Sequence, residues 1–170
     1  MRPLTSLLGG LLALSLAGCA SYRVGPTNGL AAGEKSVQVN FFRNNTLEPR
    51  LVEAVNAALR KNIQKDGTFR LNTRDEGDIV LTGEIVRFDR SPLSFQAADI
   101  ITVRDYTLSL TAKIIATERN GGKVILQREV SGRTTIRAGT DLASAERQAV
   151  PLLADDLAKN ATSLLTDGSW

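Results

Sequence analysis

The alternation of apolar and polar positions first becomes regular at Ser36, where Val37, Val39 and Phe41 interleave with Gln38 and Asn40. A period of two sends alternate side chains to opposite faces, so this stretch predicts a strand with one buried face. After Asn44-Asn45-Thr46, which reads as a turn, the period lengthens. Leu51, Val52, Val55, Ala58, Leu59, Asn62 and Ile63 recur at helical spacing and stop at Asp66-Gly67, predicting an amphipathic helix of about four to five turns. Phe69-Arg70-Leu71 reads as a short strand or extended piece, and Asn72 to Gly77 as a polar turn. Ile79, Leu81, Gly83 and Ile85 then alternate with Val80, Thr82, Glu84 and Val86, apolar enough on both sides for a strand inside a sheet, with Pro92 as its expected end.

Beyond a predicted loop over 90–101, a long strand places Tyr106, Leu108, Leu110, Ala112 and Ile114 on one face and Thr107, Ser109, Thr111 and Lys113 on the other. Asn120-Gly121-Gly122 is a hairpin signal, because these residues tolerate positive φ. Val124, Leu126 and Val130 continue the partner strand. The last element opens at Thr140-Asp141, an N-cap signal, and aligns Leu142, Ala145, Ala149, Leu152, Leu153, Leu157, Ala161, Leu164 and Leu165 on one helical stripe. Pro151 lies inside it and removes one backbone hydrogen bond, so a kink or break is expected over 147–151.

These elements predict an α+β fold, a four-stranded mixed sheet with two α-helices packed on one face. The crossover rule makes the strand at 36 parallel to the one at 78. The opposite face would carry Thr107, Ser109, Thr111, Lys113, Gln127 and Glu129. The same topology sends the loops at 43–48, 90–104 and 133–141 to one end, and with them Arg43, Arg90, Arg104, Arg133 and Arg137. Guanidiniums gathered in this way suit bidentate contact with phosphates, whereas solvated loop arginines neutralised by Asp89, Asp99 and Asp105 are the plainer alternative.

Composition removes most other chemistry. With one cysteine and no histidine in 170 residues, the chain builds no disulfide framework, no Cys/His metal cluster and no His-based catalytic triad. No catalytic residue, cofactor or metal is expected. A formal charge of +3, from 21 basic and 18 acidic residues interspersed along the chain, does not call for nucleic acid as a partner. Asp75, Glu76 and Asp78 read as an exposed turn, and Asp155-Asp156 as the wet face of the last helix.

The first residues carry a different signal. Arg2 precedes an apolar run from Leu4 to Leu16, shorter than the roughly 20 residues a bilayer crossing needs, that ends in small residues. This predicts a signal peptide over 1–18. Leu16-Ala17-Gly18-Cys19 matches the bacterial lipobox, which makes Cys19 the expected lipidation site and, with Ala20 rather than Asp next to it, points to the outer membrane, periplasmic side. Residues 19–35, with Gly25-Pro26, Asn28-Gly29 and Gly33, read as a lipidated tether, and 36–170 as a single domain.

The lipobox, Tyr22-Arg23-Val24 after it, and Val37 to Pro49 (VQVNFFRNNTLEP) together resemble the LPS-assembly lipoprotein family, LptE. The likeness continues through Leu51 to Leu59, Gly77 to Ile85, Tyr106 to Ala112, Gly121 to Leu126 and Ser131-Gly132. Gly77 stands where the family usually has alanine. The resemblance implies a two-helix, four-stranded protein that plugs the outer-membrane β-barrel LptD, helps assemble it, and assists insertion of lipopolysaccharide at the cell surface. Its implied partners are LptD, lipopolysaccharide and, through acylated Cys19, outer-membrane lipid. Lipopolysaccharide would meet the arginines above, Arg137 first. Activators of peptidoglycan synthases and a secretion-pore lipoprotein share the V-x-V-x-x-F-x-N-x-T start loosely, but the short tether favours a partner at the same membrane.

Overall fold

A computed structural model describes residues 31–139 and 141–168. The expected signal peptide, Cys19 and most of the tether lie outside the described residues. In chain order the elements are β1 (Ser36–Val39), β2 (Arg43–Asn44), α1 (Leu51–Asp66), β3 (Arg70–Asn72), β4 (Ile79–Gln96), β5 (Asp99–Glu118), β6 (Val124–Arg137) and α2 (Leu142–Asp167). They form the α+β fold that the periodicity predicts, two helices against one face of a mixed sheet. The sheet has six strands instead of four, in the order β3-β1-β4-β5-β6 with β2 also on β4.

The two additional strands are short. β1 runs parallel to both β3 and β4, so α1 is the crossover between β1 and β3, and the β1/β4 pairing follows on the other side. β2 resumes the β1 edge of β4 within what reads as a loop: Asn40 donates to the Leu81 carbonyl at 3.0 Å before the chain steps outward, and Arg43 then pairs with Glu84. The step seats Phe42 over Gly83, where an added Cβ would stand 2.4 Å from the ring. Gly77 has a similar reason. A Cβ there would lie 2.6 Å from the Gln38 backbone nitrogen, which excludes the alanine that the resemblance leads one to expect.

β4 does not end at Pro92. It runs to Gln96 and turns directly into β5, so the predicted loop is a two-stranded ribbon in which Pro92 pairs with Tyr106. The pairing on the other side of β4 stops at Ile85, which leaves Pro92 on an open edge where a missing N–H breaks no ladder bond. Eighteen residues at about 3.3 Å each make β4 roughly 55–60 Å long. The hairpin between β5 and β6 is as expected, with Gly121 and Gly122 at φ 93° and 66°.

α1 buries Leu51, Val55, Ala58, Leu59 and Ile63, and stops at Gly67, whose left-handed φ of 76° lets its N–H reach the Ile63 carbonyl. α2 starts where Asp141 accepts from the Ser144 N–H at 3.0 Å, and it continues through Pro151 without interruption. Its core stripe is narrower than predicted: Leu153, Leu157 and Leu165 are buried, while Leu152 is 64% exposed and Leu164 38%. The layer between helices and sheet is closed by Leu108, Leu110, Ala112, Ile114 and Ala116 of β5. At Gly132 the second helix comes so close to β6 that an added Cβ would be 2.5 Å from the Leu157 nitrogen.

Candidate functional site

Among the described residues nothing packs over the sheet face away from the helices. In the β5/β6 register, Thr107 faces Thr135, Ser109 faces Arg133, Thr111 faces Ser131 and Lys113 faces Glu129, so hydroxyls and charges run the length of it. Thr111 and Ser131 join their hydroxyls at 3.2 Å. Where β2, β4, β5 and β6 meet, Asn40, Phe41, Arg43, Glu84, Lys113 and Gln127 surround a depression of about 560 Å³.

The five arginines singled out in the sequence do not form one cluster. Arg104 and Arg137 come together at Asp105, with Nε–carboxylate distances of 2.8 and 3.4 Å. The Ser94 hydroxyl donates to the same carboxylate at 2.5 Å, and this bond, followed by the one from Arg104, holds the Asp105 carboxyl well below the usual range, at about 2. Arg133 lies on the open face four residues back along β6 from Arg137, about 13 Å away. Arg43 is opposite Glu84, six residues of β4 short of Arg90, a separation of about 20 Å.

Arg90 goes to the other side of the sheet. A bulge between Ile85 and Arg87 shifts the parity of β4, so that Phe88 faces Leu110 and Arg90 faces Leu108 on the helix side. There Arg90 stacks 5.5 Å over the Tyr106 ring and pairs with Glu146 in the first turns of α2. Of the three expected counter-charges, Asp105 serves Arg104 and Arg137, Asp89 lies 3.9 Å from Arg87, and Asp99 caps the Ile101 N–H and the Thr102 hydroxyl instead.

In both acidic groups the carboxylates are engaged in structural contacts. Asp78 accepts from the Ser36 N–H at 2.8 Å and its hydroxyl at 2.6 Å, and these two bonds lower its pKa. Asp155 takes Lys159 at 2.8 Å and Asn62 at 3.0 Å. Asp156, expected on a wet helix face, accepts the outward N–H of Arg133 at 2.9 Å, while Asn160 donates to the Ser131 carbonyl at 2.8 Å. Together they cover the middle of the β6 edge, a protection against strand addition that helical periodicity alone does not reveal. Among the described residues no group of three or more His, Cys, Asp or Glu side chains is placed to hold a metal, and no helix is long and apolar enough to cross a membrane.

What this arrangement can do is bind. Two guanidiniums on one carboxylate leave a net positive charge and further N–H donors suited to a phosphate, next to a face of hydroxyls. Solved structures with this fold include a DUF330-family protein from Xanthomonas campestris, with 10% identity and a TM-score of 0.61 over 86% of this chain and 91% of that one. A hypothetical protein from Chlamydia trachomatis has 9% identity and a TM-score of 0.59 over 82% and 98%. A minor lipoprotein from Acinetobacter baumannii has 14% and 0.52 over 78% and 92%. At such identities the likeness is one of fold. Among curated proteins no sequence matches the chain significantly. The family model for lipopolysaccharide assembly, LptE, matches residues 34–165, and the chain belongs to the LptE family.

Proposed function

We propose that the protein is an outer-membrane lipoprotein, cleaved after residue 18, acylated at Cys19 and tethered through 19–35, whose domain over 36–170 plugs the LptD β-barrel, helps assemble it and assists insertion of lipopolysaccharide at the cell surface. The observation that carries this reading is the LptE family match over 34–165. The sheet face away from the helices supports it physically: a plug in a hydrated barrel lumen needs a polar surface, and the Thr/Ser/Lys/Gln face provides one. Acyl chains on Cys19 each bury methylenes at about 0.8 kcal/mol apiece, so several chains give a stable anchor where one does not.

Within this reading Arg137 and Arg104 form the phosphate-binding centre, with Arg133 further along the same face. Arg90 and Arg43 are too distant to share one phosphate with them. Arg133→Glu together with Arg137→Glu is expected to weaken lipopolysaccharide binding by the purified protein at least tenfold while leaving its unfolding midpoint unchanged. Unchanged binding would discard the arginine site, though not the plug.

A further inference from the structure

Two rows of side chains cross the depression on the open face. Thr82, Ile115 and Gln127 stand side by side on β4, β5 and β6, and Glu84, Lys113 and Glu129 form the next row. Asn40, Phe41 and Arg43 close one side. Here β4 is paired with β1 and β2 on one edge and with β5 on the other, and β5 is paired with β6, so the floor offers no free strand edge. A ligand in the depression is held by side chains alone. Those side chains are uncommitted: among the described residues, Arg43, Lys113, Gln127 and Glu129 have no side-chain hydrogen bond or ion pair, although Lys113 stands between Glu84 and Glu129 in the register. Phe41 is 72% exposed where its neighbour Phe42 is 3%. Its ring is fixed from outside the depression by Arg60, whose guanidinium lies 5.5 Å from the ring centre and donates to the Val39 carbonyl at 3.2 Å.

Arg43 and Lys113 are balanced by Glu84 and Glu129, so the depression has no net charge to attract a phosphate. It has an exposed aromatic ring beside planar donors and acceptors. A sugar ring is complementary to both, with a face of C–H groups that packs on an aromatic ring and hydroxyls that donate to carboxylates and accept from amide and ammonium groups. The side chains form a grid about 4.8 Å wide between strands and about 6.7 Å between rows, the scale of one sugar ring. The volume of about 560 Å³ lies within the range of about 300–1,000 Å³ usual for ligand sites. We infer that the depression binds an oligosaccharide, one ring stacked on Phe41 and its hydroxyls held by Asn40, Glu84, Lys113 and Gln127. The site is separate from the Arg104/Arg137 centre. Lys113 is eight residues of β5 from Asp105, about 26 Å, and the site takes neither phosphate nor acyl chain, so it does not depend on the plug reading.

The saccharide of a glycolipid and the glycan of the cell wall present the same chemistry, and the test separates them. The full lipoprotein, in a detergent without a sugar headgroup, is titrated with two lipid-free and phosphate-free probes: dephosphorylated oligosaccharide released from lipopolysaccharide, and peptide-free glycan fragments of peptidoglycan. Calorimetry measures affinity, and saturation-transfer NMR reads which sugar protons touch the protein. Binding of at least one probe is expected, with transfer strongest at the C–H protons of one ring, and the probe that binds names the source. Phe41→Ala and Phe41→Leu should each weaken binding about tenfold while the unfolding midpoint stays in place, and Phe41→Trp should retain it. Binding of neither probe, or equal binding by the parent and the Phe41→Leu variant, overturns the inference. Both results leave the plug reading standing, because that reading is decided by whether the barrel accompanies the lipoprotein.

Discussion

Gly132→Ala tests how closely the second helix is seated on the sheet. The Cβ it adds would stand 2.5 Å from the Leu157 nitrogen, 2.6 Å from the Leu153 carbonyl oxygen and 2.8 Å from the Leu157 Cβ, all fixed in the helix framework. Relief requires α2 to withdraw from β6 by about 0.5–1 Å, and a gap of that size forfeits a quarter to a half of each dispersion contact along Leu153, Leu157 and Ala161. Overpacking of this kind costs about 1–3 kcal/mol, against which the reduced freedom of the unfolded chain returns at most about 1 kcal/mol. The expected net loss is about 1–2 kcal/mol, or roughly 2–8 °C in Tm for a chain of this size. Urea and thermal unfolding followed by circular dichroism measure it. Gly139→Ala is the control, because a Cβ there meets nothing within 4 Å. If Gly132→Ala matched that control to within about 0.5 kcal/mol, the close approach of α2 to β6 would be wrong.

Other consequences follow from single contacts. Asp156→Ala strips the acceptor from the Arg133 N–H at the β6 edge, so stability should fall by about 0.5–1.5 kcal/mol and light scattering should show more self-association than in the parent. Pro151→Ala restores an N–H inside an uninterrupted helix at an exposed position and should raise stability by about 1–3 kcal/mol in urea unfolding. Asp105 should titrate near pH 2 by carboxyl NMR; its depressed pKa means that its contribution is complete above pH 3.8 and is lost as the pH falls through about 2. Ser94→Ala removes the hydrogen bond that lowers this carboxyl most and should move the midpoint upward toward 3.8.

Much of the fold is legible where a single local rule decides. The 3.6-residue period of α1 and its Gly67 stop, the alternation of β5, the Gly121-Gly122 turn and the Asp141 cap all appear as read, because each depends on neighbours in sequence. Pro92 misleads because the cost of a proline in a strand depends on whether its N–H is needed, and only the partner arrangement shows that β4 has an open edge there. β2 is two residues long and leaves no periodic trace. In α2, Leu152 and Leu164 fit the helical stripe but stand at its exposed margin, Leu152 on an open cleft beside Ala54 and Ala58 of α1, because helical spacing does not say how far the facing element reaches.

The candidate site was less legible than the fold. Topology puts the arginine-bearing loops toward one end, but the bulge after Ile85 turns Arg90 to the helix side, and no residue type in that stretch announces it. Arg90's partner Glu146 lies on another element 56 positions away in sequence. Arg43 is carried back to the level of Glu84 by the short β2. Only Arg104 and Arg137 meet, because the β5/β6 register places Arg137 opposite the residue that follows Arg104. The exposed apolar side chains of the ribbon escape a reading that takes the same stretch as a loop.

The plug reading is tested most directly by isolating the tagged lipoprotein from outer membranes in mild detergent and identifying by mass spectrometry what accompanies it in equal amount. A large β-barrel of the lipopolysaccharide-export type, present one to one, is the result expected. A peptidoglycan synthase, or a ring made only of this chain, would contradict it.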